Sequence, residues 1–228
     1  MTLCHICHRW QAYALCEDCV QRFAQPPSRC RTCALPLAPD ATCADCQVLP
    51  PLDHCIAAVD YAYPWSDCIA RFKFGADPAL SRSLATLMRA APWAEAALEQ
   101  ADRVVPLPLS PQRLRERGFN QALELARHLH SRAPDVDCLK RHNDGHHQVG
   151  ALRSERLTQV DHSFWLAPDA LPSLKGQHVV LVDDVMTTGA TLHAAAQLLR
   201  RAGVAHVTAL VLARTPKPSQ DDSAKAAA

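Results

Sequence analysis

Apolar and polar positions alternate along this chain with two different periods, and each period marks a kind of element. Ile56–Tyr61 is an apolar run of strand length, and Val179-Val-Leu-Val is an uninterrupted one, as expected for a strand buried on both faces. Val207–Ala213, after a stop at Gly203, reads as a further strand, and Arg103-Val-Val as a short one cut off at Pro106. Between them lie stretches with helical spacing. Asn120–Ser131 places Ala122, Leu125, Ala126 and Leu129 on one face, and Thr191–Ala202 does the same with Leu192, Ala195, Ala196 and Leu199. Ser66–Phe74 and Pro78–Ala90 complete the set, the second opening on a proline that a first helical turn tolerates. Strands alternating with helices predict an α/β fold with a mainly parallel sheet. No apolar run approaches the roughly 18 residues needed to span a bilayer.

This pattern leaves out both ends. Residues 1–50 carry little apolar material, 51–214 hold the alternating elements, and 215–228 form a polar, proline-punctuated tail expected to be disordered. The 228 residues suit one ordinary domain with a small appendage, and a 48% hydrophobic share excludes wholesale disorder. A net charge of +1 argues against a chain coated in basic charge for nucleic acid. A local basic face remains open, since only five of the 24 cations are lysine and arginine's planar fork suits phosphate. The opening Met1-Thr-Leu-Cys-His-Ile-Cys has neither the basic nor the apolar region of a signal peptide, so a cytoplasmic protein is expected.

Eight of the 11 cysteines fall in four pairs of one spacing: Cys4/Cys7, Cys16/Cys19, Cys30/Cys33 and Cys43/Cys46. A Cys-x-x-Cys turn presents two thiolates to one tetrahedral metal, and two such turns complete its shell. Two structural zinc sites are expected, substituting for a core the segment lacks. Sequential pairing would make two zinc ribbons and cross-braced pairing a RING-like module; the short loops between pairs favour the first. His5 and His8 are expected to be free surface histidines. A disulfide scaffold suits an exported chain instead. Cys55, Cys68 and Cys138 stand alone and read as core residues.

The richest segment is Val179–Leu192, where an apolar strand meets Asp183-Asp184, then Val-Met-Thr-Thr-Gly-Ala-Thr, then a helix. Ligands of parallel sheets sit at the strands' carboxyl ends. Thr187, Thr188 and Thr191 offer hydroxyls, Gly189 admits close backbone approach, and the helix N-terminus favours an anion. That cradle fits one phosphate. The two carboxylates beside it suit sugar hydroxyls or a developing positive charge and would repel a bare polyphosphate. Neither a Gly-x-x-x-x-Gly-Lys-Ser/Thr nor a Gly-x-Gly-x-x-Gly loop is present.

These residues resemble the phosphoribosyl pyrophosphate (PRPP) motif of type I phosphoribosyltransferases. With the four cysteine pairs in front, the chain from Cys4 to about Arg214 is similar to the ComF family of competence-associated proteins, including its GntX-type members. Val104-Val-Pro-Leu-Pro-Leu resembles the family's strand and pyrophosphate loop, and Arg113-Leu-Arg-Glu-Arg-Gly-Phe-Asn-Gln121 its arginine-rich signature. Arg141–Gln148, Arg153, Arg156 and Phe164 resemble the mobile segment that closes over PRPP. Lys73, in Arg71-Phe-Lys-Phe-Gly, also recurs. The family's pattern has Asn where Gln159 stands and Ser where Leu152 stands.

The resemblance implies a type I phosphoribosyltransferase fold behind a double zinc ribbon. It implies PRPP held with Mg²⁺ by Thr187, Thr188, Gly189, Ala190 and Thr191 at the 5′-phosphate and by Pro106, Leu107 and Pro108 at the pyrophosphate. Arg113, Arg141 and Arg156 would meet the leaving charge, and Asp183 and Asp184 would be the catalytic pair at the ribose. Two functions from different classes follow. One is a PRPP-binding protein of natural competence that handles imported single-stranded DNA, with Arg113, Arg115 and Arg117 as its basic contacts and Trp10 and Phe23 as stacking candidates. The other is an active phosphoribosyltransferase joining PRPP to a nitrogen nucleophile. A protein–protein adaptor acting through the ribbons is the blandest reading. No residue pattern marks an acceptor pocket.

Overall fold

The structure, a computed structural model, describes residues 1–38, 41, 43–46, 52–75, 77, 80–141, 159–160 and 164–217. A two-stranded antiparallel ribbon, β1 (Thr2–Leu3) and β2 (Trp10–Gln11), is followed by helix α1 (Glu17–Phe23) and a short 3₁₀ turn at Ala44–Cys46. Then come β3 (His54–Asp60), α2 (Trp65–Phe74), α3 (Leu80–Arg89), α4 (Ala94–Glu99), β4 (Arg103–Pro106), α5 (Pro111–Arg117) and α6 (Gln121–Ala126). The chain continues with β5 (Leu139–Arg141), β6 (Gln159–Val160), β7 (Phe164–Leu166), α7 (Leu171–Leu174), β8 (His178–Met186), α8 (Ala190–Arg201) and β9 (His206–Arg214). No helix among the described residues is long and apolar enough to cross a membrane.

Four strands form the central sheet in the order β3-β9-β8-β4, every pair parallel. Side chains alternate across a strand, so each strand feeds two cores. Ile56, Ala58, Val180, Val182, Leu210 and Leu212 face α2, α3, α4 and α6. Cys55, Ala57, Val179, Leu181, Ala209 and Val211 face α7, α8 and the small antiparallel sheet β5-β7-β6. Burial on both faces explains why these strands read as continuous apolar runs. The lone cysteines Cys55, Cys68 and Cys138 are buried among them, and burial pushes their thiols up to about 12, 11 and 12, which leaves them unreactive.

Two elements differ from the expectation. The helix expected over Asn120–Ser131 ends at Ala126, after which His128 and Leu129 donate to the carbonyls of Leu125 and Ala126, the tighter three-residue step. Leu125, Ala126 and Leu129 still share a buried face, so the apolar stripe outlasts the helix that announced it. Strand β8 runs on past Val182 to Met186, because β9 pairs with it as far as Met186 opposite Arg214. Asp183 and Asp184 therefore lie within a strand rather than after one. Leu181 lies fully buried in that strand, and Leu181→Ala is expected to cost about 2–5 kcal/mol, read from the denaturant midpoint at unchanged m-value.

Candidate functional site

The turn from β8 into α8 occupies the carboxyl end of an interior strand, where parallel sheets place ligands. Gly189 closes it at φ +86°, and a Cβ there would come within 2.4 Å of Met186 Cε. The backbone angle calls for glycine, while the Met186 methyl could move aside. Thr188 Oγ1 accepts from the Ala190 amide at 3.3 Å, while Thr187, Thr188 and Thr191 stay exposed. Twelve residues of α8 aim their N-terminus at this turn. On the neighbouring strand, the Leu107 amide donates to the Val182 carbonyl at 2.9 Å, which sets the Pro106–Leu107–Pro108 loop beside it. Asn120 holds that loop: its Nδ2 donates to the Leu107 carbonyl at 3.0 Å while its Oδ1 caps α6. The asparagine is plain in the Gly-Phe-Asn-Gln run, but only the fold shows what it holds.

Lys73 Nζ, from the end of α2, pairs with Asp184 Oδ1 at 3.0 Å, and both side chains are largely buried. Asp183 Oδ1 accepts from the Asp184 amide at 2.9 Å. Burial first, and the Asp184 charge second, push the Asp183 carboxyl up to about 7, against the pull of Lys73 and Arg141. One acid is thus neutralised by a lysine and the other sits near half protonation at neutral pH. The doublet repels an approaching phosphorylated sugar less than two free carboxylates would.

Of the expected arginines, Arg141 ends β5 and lies 5.3 Å over the Phe164 ring, close enough to influence Asp183. Phe164 itself is fully buried in β7, with the Arg141 guanidinium over its ring. Arg156 lies outside the described residues. Arg113 and Arg115 are exposed on α5. Arg117 donates to Gln121 Oε1 at 3.0 Å and lies 5.7 Å over the exposed ring of Phe74. Of the stacking candidates, Trp10 is exposed. Phe23 is partly buried, packed in a T-shaped contact with Tyr63 at 6.4 Å and with Arg22 5.2 Å over its ring.

The cysteines gather sequentially. Cys4, Cys7, Cys16 and Cys19 form one group and Cys30, Cys33, Cys43 and Cys46 the other, with the ligating sulfurs of each within 4.8 Å of one another. The two groups share a local design. His8 and Ala34, each following the first pair of its group, adopt left-handed φ values of 58° and 57°, which turns the chain around the sulfurs. Burial opposes a charged Cys4, but the amides of Cys7, Ile6 and Cys16 outweigh it and bring the thiol down to about 6; burial and neighbouring thiols push Cys19 up. Four sulfurs this close cannot all ionise without a cation among them. Both groups can hold a metal ion, and a four-sulfur set suits zinc.

His5 is not a free surface residue. Its ring lies 3.4 Å from an Arg71 nitrogen on α2 and 3.6 Å from Asp77. The second group is tied more deeply. Buried Arg214 donates from Nε to the Cys33 carbonyl at 2.8 Å and from Nη1 to the carbonyls of Met186 (3.1 Å), Thr187 and Thr215 (2.8 Å). One guanidinium thus joins a metal-type turn to the start of the phosphate-type turn. An arginine closing a largely apolar strand was the available signal for it. A cavity of about 500 Å³ opens between these two turns, next to Thr187 and Thr188.

A family model described as "Phosphoribosyl transferase domain" matches residues 114–227. Along nearly its whole length the chain is also 34% identical to the DNA utilization protein YhgH of Salmonella typhimurium, over 93% of this chain and 97% of that one. It is 32% identical to competence protein F of Haemophilus influenzae, over 88% and 90% of the two chains. It is 29% identical to competence protein ComFC of Bacillus subtilis, over 88% and 84%. The chain belongs to the ComF family of phosphoribosyltransferase-domain proteins.

The Asp183 carboxyl has a folded pKa of about 7, above its ordinary 3.8, so its contribution to stability is complete below pH 3.8 and is lost as pH rises through 7. Asp183→Asn is therefore expected to melt above the wild type at pH 8 and to converge with it near pH 4. Thermal melts of ligand-free protein at the two pH values check this.

Proposed function

We propose that this chain binds PRPP at the β8–α8 turn and serves natural competence by handling incoming single-stranded DNA. The observation that carries the first half is the placement of a threonine–glycine phosphate turn and a charge-damped acidic doublet at one strand end. In this reading Thr187, Thr188, Gly189, Ala190 and Thr191 take the 5′-phosphate, Asp183 and Asp184 the ribose hydroxyls, and Pro106–Pro108 the pyrophosphate. Mg²⁺ accompanies PRPP and offsets its charge, and Arg113, Arg141 and Arg156 face the pyrophosphate. The printed names of the relatives, two competence proteins and a DNA utilization protein, support the second half. So do the exposed Arg113 and Arg115 and the Arg117–Phe74 stack, which offer phosphate and base contacts outside the sugar site. Each cysteine group holds one structural zinc, worth roughly 10–16 kcal/mol in comparable small modules.

A second reading, catalysis, is favoured by the acidic doublet at the strand end beside the phosphate turn. The bond from the ribose C1′ to the pyrophosphate oxygen would break, pyrophosphate would leave with the electron pair, and a nitrogen lone pair would attack C1′. The doublet would stabilise the positive charge between those events.

Calorimetry with PRPP and Mg²⁺ tests the shared premise. Binding is expected in the wild type and a loss of at least tenfold in Gly189→Ala, whose added methyl strains the turn; no heat in the wild type would overturn it. Pyrophosphate release against a panel of bases and amines separates the readings, with silence despite intact PRPP binding expected for the first.

A further inference from the structure

The opposite end of the sheet carries a second site. Two adjoining cavities, of about 200 and 310 Å³, open where β3, β8 and β9 begin, between α4 and the Pro26–Arg31 segment. They share Trp93 and Arg31, which form the wall between them. Trp93 is 65% exposed and sits at φ +72°, a left-handed angle rare for so bulky a residue, with no burial to compensate. The Arg31 guanidinium lies 4.4 Å over its ring and makes no ion pair among the described residues. Arg29 also borders the larger cavity, but it is nine-tenths buried and turns its Nη1 to Asp60 and the Ala34 carbonyl, toward the far end of β3. The smaller cavity is edged by His54, His206 and His178 in a row, neighbouring rings 5.2 and 5.3 Å apart. Among the described residues neither cavity is lined by a carboxylate.

We propose that this groove binds single-stranded nucleic acid, a base stacking at Trp93 and an adjoining phosphate meeting Arg31. The proposal deepens the DNA-handling reading above and rests on it, moving the principal contact away from α5. The chemistry selects the occupant. An exposed indole face recognises a base only where that base is unstacked, as in a single strand. Paired cavities on either side of an arginine–indole stack suit a chain of alternating bases and phosphates better than one small anion. Because the groove and the sugar-phosphate turn lie at opposite ends of the same strands, both can be filled at once.

Fluorescence anisotropy with a labelled oligothymidylate of about 15 nucleotides, on the full metal-loaded chain, tests this. Trp93→Ala and Arg31→Gln are each expected to weaken binding about tenfold or more, Trp93→Phe much less, and PRPP affinity should not move in any of them. Arg31→Gln should also lower the slope of log affinity against log salt by about one. Both residues are exposed, so the variants are expected to fold, and metal content checks that they do. If the wild type binds while Trp93→Ala and Arg31→Gln bind equally well, or if only changes at Arg113 and Arg115 weaken it, the groove is overturned and DNA handling stands. If a duplex or thymidine monophosphate binds as tightly as the strand, single-strand recognition at Trp93 is overturned. If the wild type binds no oligonucleotide, the DNA-handling reading falls and the groove with it.

Discussion

The buried guanidinium of Arg214 is the constraint on which the site's geometry depends. Its Nε and Nη1 donate to carbonyls from three parts of the chain: Cys33 in a metal-type cysteine turn, Met186 and Thr187 at the β8–α8 turn, and Thr215, its own neighbour. A buried arginine whose donors are satisfied by fixed carbonyls is costly to displace, because moving either partner exposes an unpaired charge to an apolar surround. The turn is therefore held from outside as well as by its own glycine. On the other flank, His5 of the first cysteine group contacts Arg71, two residues before the lysine that pairs with Asp184. Each cysteine group thus braces one side of the site.

Charge arrangement explains why an acidic doublet can stand beside a phosphate turn at all. Two free carboxylates would oppose a ligand carrying several negative charges. Here Lys73 cancels one, and burial beside that pair keeps the other partly protonated near neutral pH. The carboxyl oxygens remain available to sugar hydroxyls, and Arg141 adds positive charge from a third element of the chain.

Much of this was legible in the sequence because it rests on local spacing. The apolar runs at Val179–Val182 and Val207–Ala213, the Cys-x-x-Cys turns and the Thr-Thr-Gly-Ala-Thr turn each specify their geometry within a dozen residues. What was hidden depends on distant pairs. Lys73 recurs in the family resemblance, but its partner Asp184 shows only in the fold. Arg214 looked like the end of a strand, and Asn120 like an ordinary helix cap. Strand β8 ran past its apolar run because β9, not its own composition, set its length. Trp93 and Arg31 lie 62 positions apart, and nothing in either neighbourhood announces the other. The packing of Phe23 and Phe164 was hidden for the converse reason: an aromatic in a plausible place gives no sign of what it packs against.

Since Arg214 couples the second cysteine group to the phosphate turn, hydrogen exchange gives the most direct test. The amides to follow are Thr215, which donates to the Met186 carbonyl, and His193, which donates to the Gly189 carbonyl. Changing Cys43 and Cys46 to serine disables only the second group. The account predicts faster exchange at Thr215 and His193 in that chain, with little change at Leu181, and no such change when Cys4 and Cys7 are altered instead. Unaltered protection at Thr215 and His193 without the second group would contradict it.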